Sequence, residues 1–322
     1  MGLSAGASPA RPRRPWGPWW PWVKRLLTAA FFLLVAFFVF RYARRVDWHA
    51  VWDAITDTPP RVLVLAVLLS AATHTIYSCL DLLGRHYTGH RLPRRKVMQV
   101  TFISYAFNLN LGAAVGAIAF RIRMYSRLGL DSGTIARVIS LSIVSNWVGY
   151  LVLAGLSFSL APLELPPTWK LGSEGLRWLG GFLLLAAAAY VGLCVGARQR
   201  SYTVRGHELV LPPARLVAAQ LAIGCAHWLA MAAIVWTLLR GALPYPTVLN
   251  VLLIAAVAGV ITHLPAGLGV LEAVFLALLS HRVPEPQLLA VLLSYRALYY
   301  IFPMLLALGL YLFVEAQARP AR

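Results

Sequence analysis

The stretch that decides the fold is Ala258-Gly259-Val260-Ile261-Thr262-His263-Leu264-Pro265-Ala266-Gly267-Leu268-Gly269-Val270-Leu271-Glu272. It interrupts a long apolar run with a proline and glycines, then restarts a helix that carries a carboxylate. In hydrocarbon every unpaired N–H or C=O is costly, so backbone is broken there only where protein or a wet cavity surrounds it. An ionisable residue just after such a break marks a functional site by default. The stretch points to a membrane protein that handles a polar group inside the bilayer.

Composition agrees. Of 322 residues 60% are apolar and 12% charged, and several runs exceed the roughly 20 residues needed to span hydrocarbon. The longest polar stretch, about residues 197–215, is too short to bury a core. The expected fold is therefore an all-α integral membrane protein with small loops. The formal net charge of +18 would suit nucleic acid, but the basic residues sit at the ends of apolar segments. Membrane topology and anionic headgroups account for that placement, and a nucleic-acid partner is rejected. Cys79, Cys194 and Cys225 lie singly in apolar segments with no metal or redox spacing, and read as small core residues.

Full spans are expected near residues 23–41, 61–84, 134–160, 176–196, 216–239 and 287–314. Two further apolar regions, 97–120 and 247–281, contain breaks and read as re-entrant helical hairpins. With both termini cytoplasmic, nineteen Lys and Arg fall on the cytoplasmic side and eight on the other. That positive-inside bias holds only if 97–120 enters and leaves on one side. Two broken hairpins opening to opposite faces are what an inverted repeat produces, and in transporters such breaks mark a midplane site. The chain then divides into a basic, Trp/Pro-rich N-terminus (1–22), which reads as the front of an uncleaved signal anchor, one polytopic domain (23–315) and a cytoplasmic tail (316–322). Residues 46–56 read as an interfacial amphipathic helix.

The candidate site residues cluster at the two breaks. At the first, Asn108, Asn110, Gly112 and Gly116 precede Arg121, Arg123 and Arg127. Small residues let helices or a ligand approach the backbone closely, and a guanidinium at a helix end can hold a lipid phosphate through paired N–H bonds. The plainer role for Arg123 and Arg127 is to anchor the hairpin at the interface. At the second, His263, Pro265, Gly267, Gly269 and Glu272 lie together in sequence. Arg296 sits within an apolar run and needs a partner, either Glu272 or a substrate phosphate. A Glu272–Arg296 pair that only fixes packing is the structural alternative.

No H-E-x-x-H, G-x-S-x-G or P-loop pattern is present, so no catalytic function, cofactor or metal is expected and ATP hydrolysis cannot drive the chain.

Phe107-Asn108-Leu109-Asn110-Leu111-Gly112, continuing through Gly116 to Arg121 and Tyr125-Ser126-Arg127-Leu128-Gly129-Leu130, resembles the first signature of the lysylphosphatidylglycerol synthase transmembrane (flippase-like) family. Pro265-Ala266-Gly267-Leu268-Gly269-Val270-Leu271-Glu272 resembles its second, and Arg296 with Pro303 and Gly309 its last helix. The resemblance covers residues 20 to 315. It implies a bacterial inner-membrane protein of the short stand-alone branch, without the aminoacyltransferase domain. Many members carry an acid just before the arginine. Here Ile118, Ala119 and Phe120 leave the arginine cluster without a local counter-charge, which favours an anionic lipid.

The reading is a lipid translocase, flippase or scramblase, whose anionic phospholipid headgroup is held by Arg121 and Arg296. Glu272 pairs with Arg296 when the site is empty. A separate lipid-modifying enzyme would then be a natural partner. The rivals are a secondary transporter of a small anion, a membrane scaffold for a lipid-modifying enzyme, and an intramembrane transferase using Glu272 or His263 as base.

Overall fold

The computed structural model describes residues 44, 47–161, 163, 172–197, 201–204, 207–262, 264 and 267–317. Nearly all belong to one compact unit, Trp48–Arg322. The expected span 23–41, the segment 1–22 and most of the tail 316–322 lie outside the described residues, as do His263 and Pro265.

The described chain starts with α1 (Trp48–Thr56), α2 (Pro60–Thr88) and α3 (Arg94–Leu111). A π-helical segment, π1 (Ala114–Phe120), runs directly into α4 (Arg121–Arg127). Then come α5 (Ser132–Leu160), α6 (Ser173–Gly196), two strands, α7 (Ala214–Leu238), α8 (Tyr245–Thr262) and α9 (Val270–Leu279). The last helix is continuous over 33 residues, as α10 (Glu285–Tyr295), π2 (Arg296–Ile301) and α11 (Phe302–Gln317).

Among the described residues six stretches are long and apolar enough to cross a membrane, and the protein is an integral membrane protein built of α-helices. Five of them, Pro60–Thr88, Ser132–Leu160, Glu174–Gly196, Ala214–Leu238 and Glu285–Gln317, match expected spans. The sixth is α8, which the sequence reading assigned to a broken hairpin. Its 18 residues make about 27 Å of helix, close to the hydrocarbon thickness. The 10-residue α9 reaches only about 15 Å and packs back along α8. The first hairpin repeats this plan, with an 18-residue α3, a break at Gly112 and a short return through π1 and α4 packed on α3.

The strands depart from an all-helical expectation. Ser201–Val204 pairs antiparallel with His207–Val210 in the loop before α7. The segment is polar and short, and carries no apolar run for a helix to bury.

Contacts at the helix ends sort the loops into two sets. Arg240 donates to the Asp57 carbonyl (3.5 Å) and Asn250 to the Ala161 carbonyl (2.6 Å) at one end. At the other, the Tyr87 hydroxyl donates to the Val210 carbonyl, and Glu315 meets Arg123 and Arg127. These are the two sets that the basic-residue count separates, and the 97–120 hairpin returns to the end it left. α1 exists as expected, and Val51, its buried residue, belongs to a face packed on α10.

The centre of the bundle is α2, α5 and α7, which pack on one another. Without a hydrophobic force between helices in lipid, close approach and hydrogen bonds hold them. Gly149 on α5 and Gly224 on α7 meet backbone to backbone, and a Cβ at either would collide with the other helix. Asp131 caps α5 by accepting the Thr134 N–H (2.9 Å), and its hydrogen bonds with Thr134 hold its carboxyl below the usual carboxylate range.

Gly149→Val should force α5 and α7 apart and cost about 1–3 kcal/mol. Thermal unfolding in detergent should show a lowered Tm. An unchanged Tm would mean that the helices do not meet there.

Candidate functional site

The second break builds one charged site. Gly267 (φ 55°) and Gly269 (φ 77°) turn the chain through left-handed backbone that a side chain would strain. Gly269 then starts α9, placing Glu272 in its first turn, where the helix dipole favours a negative charge. Across from it, Arg296 donates from Nε to Glu272 Oε1 and from Nη2 to Oε2 (3.0 Å). The same Nη2 reaches the Gly267 carbonyl at 2.9 Å, and the guanidinium lies 5.3 Å from the Tyr300 ring centre. The pair keeps some exposure, 10% for the Arg296 side chain and 15% for that of Glu272.

Arg296 opens π2, and that segment has an identifiable cause. Pro303 has no N–H and its ring clashes with the carbonyl one turn back, so the helix widens before it. The Leu298 carbonyl, five residues before Pro303, accepts instead from the Ser70 hydroxyl of α2 (2.9 Å). Asn110 Nδ2 donates to the Tyr300 carbonyl (3.0 Å) and to the Ala106 carbonyl (2.9 Å). Asn110 thus supports π2. Asn108 packs its backbone against Gly116, where a Cβ would collide, and Gly112 ends α3 at φ 83°.

Arg121 forms a different site. It is wholly buried, with Nε and Nη2 on the two oxygens of Asp81 (3.0 and 3.2 Å) and Nη1 on the Ala117 carbonyl (3.1 Å). The Tyr125 hydroxyl also donates to Asp81 (2.8 Å). This corrects the expectation that the arginine cluster lacks a counter-charge, because α2 supplies one from 40 positions away. Arg123 and Arg127 are likewise paired, both to Glu315 near the end of α11, though half-exposed.

The two buried arginines do not share a site. The π2 segment that begins at Arg296 meets α2 at Ser70, whereas Arg121 meets it at Asp81, about 16 Å further along the helix. Between those levels α2 presents Ser70, Thr73, His74, Tyr77, Ser78 and Asp81, all buried and spaced at three and four residues, hence one face. Facing residues extend this polar stripe. The Tyr105 hydroxyl of α3 hydrogen-bonds with His227 Nε2 on α7 (3.1 Å) and with the Tyr299 hydroxyl on π2 (2.7 Å). The Tyr105 ring stacks on Tyr77 at 3.6 Å. His74 donates Nδ1–H to the Ser70 carbonyl (2.9 Å), leaving its buried Nε2 with no hydrogen-bond partner among the described residues. Asp81 and this stripe are absent from the sequence-derived set. The carboxylate inside an apolar run was the signal for Asp81. Among the described residues no three His, Cys, Asp or Glu side chains converge as a metal site.

Removing one member of a buried pair leaves the other charged and unpaired, at a cost of about 3–5 kcal/mol. Asp81→Asn should therefore lower the Tm sharply, and Asp81→Asn with Arg121→Gln should recover much of the loss. Additive losses in the double variant would contradict the pairing.

Comparison with known proteins agrees with this architecture. The family model described as "Lysylphosphatidylglycerol synthase TM region" matches residues 25–307. Inner membrane protein YbhN of Escherichia coli K12 is 47% identical over 300 residues, 93% of this chain and 94% of its own. An uncharacterized Synechocystis protein is 31% identical over 260 residues, 80% of each chain. The phosphatidylglycerol lysyltransferase of Staphylococcus haemolyticus is 23% identical over 296 residues, 89% of this chain but 33% of the larger enzyme. The chain belongs to the lysylphosphatidylglycerol synthase transmembrane-region family.

Proposed function

We propose that the protein is a lipid translocase of the bacterial inner membrane, with both termini cytoplasmic, which moves an anionic or modified phospholipid between leaflets. The observation that carries this reading is the buried polar stripe on α2, with the Arg296 segment at one end and the Asp81–Arg121 pair at the other. A few interhelical hydrogen bonds and close packing suffice to hold such a bundle, whereas this run of buried polar side chains continues from one charge pair to the other and leaves His74 Nε2 with no hydrogen-bond partner among the described residues. A headgroup passing along the stripe would exchange water for hydroxyls and imidazoles while its acyl chains stayed in lipid.

Arg296 is the phosphate ligand in this scheme. Its pair with Glu272 is partly open, so a phosphate can replace the carboxylate and exchange one charge-assisted pair for another. Arg121 has no exposed surface, and its part is to hold the return of the first hairpin against α2. The relatives support a lipid-related role: one is named an inner membrane protein and another a phosphatidylglycerol lysyltransferase. Movement of one net charge would couple to the membrane potential at about 2.3 kcal/mol per 100 mV.

Leaflet exchange of labelled phosphatidylglycerol in proteoliposomes tests the reading. Wild-type protein should speed exchange, and Arg296→Ala and Glu272→Gln should return it to the protein-free rate while remaining folded. Exchange unchanged in both variants would remove the site from the path. No exchange by wild-type protein, with or without a potential, would support the scaffold, or a soluble-anion transporter if anion flux were seen instead.

A further inference from the structure

A lateral groove of about 460 Å³ lies between α2, α3 and α11. Its walls are mainly apolar, with Val67 and Ala71 from α2, Phe102 from α3, and Phe302, Leu306 and Leu310 from α11. One edge is the polar stripe itself, through Ser70, His74 and Ser78. Ser70 to Ser78 spans about 12 Å along α2, enough for much of an acyl chain. Arg95 and Gln99 close the groove at the end where α3 begins.

A second cleft adjoins it and shares Gln99. Lys96, Arg123, Arg127 and Glu315 line this cleft. Arg123 and Arg127 both spend their charge on the single Glu315 carboxylate. Arg95 and Lys96 are exposed, and neither side chain makes a hydrogen bond or ion pair within the described residues. Four cations thus face one carboxylate around Gln99, at the mouth of a groove that suits hydrocarbon.

We infer that the groove is the loading site for an anionic glycerophospholipid: one acyl chain lies between α2, α3 and α11, and the phosphate sits on Arg95, Gln99 and Lys96. The charge surplus fixes the substrate class. A headgroup of net negative charge is attracted, whereas a lysyl ester, which makes the lipid cationic, meets like charges at Lys96 and the paired arginines. The chain would then take the unmodified anionic lipid rather than the lysylated one. Because the groove edge is the α2 stripe, a lipid seated there has its headgroup at the start of the path. The purpose of the site rests on the translocase reading, but occupancy does not require leaflet exchange and is measured without it.

Photo-crosslinkable acyl-chain analogues of phosphatidylglycerol, phosphatidylcholine and lysylphosphatidylglycerol, each presented to the full chain in nanodiscs, test this directly, with labelled residues identified by mass spectrometry. The phosphatidylglycerol analogue should label α2, α3 and α11 about tenfold more than either other lipid, as expected for a charge-assisted phosphate contact. Arg95→Gln with Lys96→Gln should erase that preference. Ala71→Trp, which fills the groove, should abolish labelling of its walls by all three. Equal labelling of wild-type protein by the anionic and lysylated lipids would overturn the inference, a result that needs no variant to fold. Capture of residues 23–41 in the groove by a crosslinker placed at Met98 would also overturn it. Selective labelling without leaflet exchange would leave the site standing and remove the translocase.

Discussion

A guanidinium in hydrocarbon must have a carboxylate or carbonyl against it, and this constraint organises the bundle. Arg121 and Arg296 each meet it twice over, with a carboxylate and a backbone carbonyl, and each draws together elements distant in sequence. Arg121 holds the first hairpin to α2 through Asp81. Arg296 holds the second hairpin to the last helix through Glu272 and Gly267. The two breaks in helical backbone are tolerable because these contacts enclose them in protein.

The pairs differ in one respect that separates structure from function. The Asp81–Arg121 pair is sealed, and its net worth to stability is small compared with the penalty for breaking it. The Glu272–Arg296 pair sits on irregular backbone, between positive-φ glycines and a proline-induced π segment, and is partly open. An ion pair that must exchange partners belongs on such backbone, since the neighbouring carbonyls already rely on side chains such as Ser70 and Asn110 rather than on a closed helical ladder.

Much of this was legible in the sequence. Spans follow from apolar length, and the Glu272–Arg296 pair follows from two charges placed where charges cannot stand alone. Asp81 carried the same signal, but its partner lies in another hairpin, and nothing local to Arg121 announces it. The polar stripe was harder to see. Serines and threonines in such helices hydrogen-bond their own backbone, as Thr73 does to Leu69 (2.7 Å) and Ser78 to His74 (2.8 Å), so they barely lower an apolar average. Only the three-and-four spacing of 70, 73, 74, 77, 78 and 81 shows that they share a face. Hydropathy also could not separate α8 as a spanning-length helix from the hairpin it begins, because a second apolar helix, α9, follows it after a short break.

The measurement closest to the centre of this picture is leaflet exchange by a variant whose stripe is apolar while both charge pairs stay intact, made by replacing Ser70, His74 and Ser78 with Ala, Leu and Ala. The expected result is a folded protein with exchange at the protein-free rate. Exchange at the wild-type rate would show that headgroups do not travel along α2, and would contradict the path proposed here.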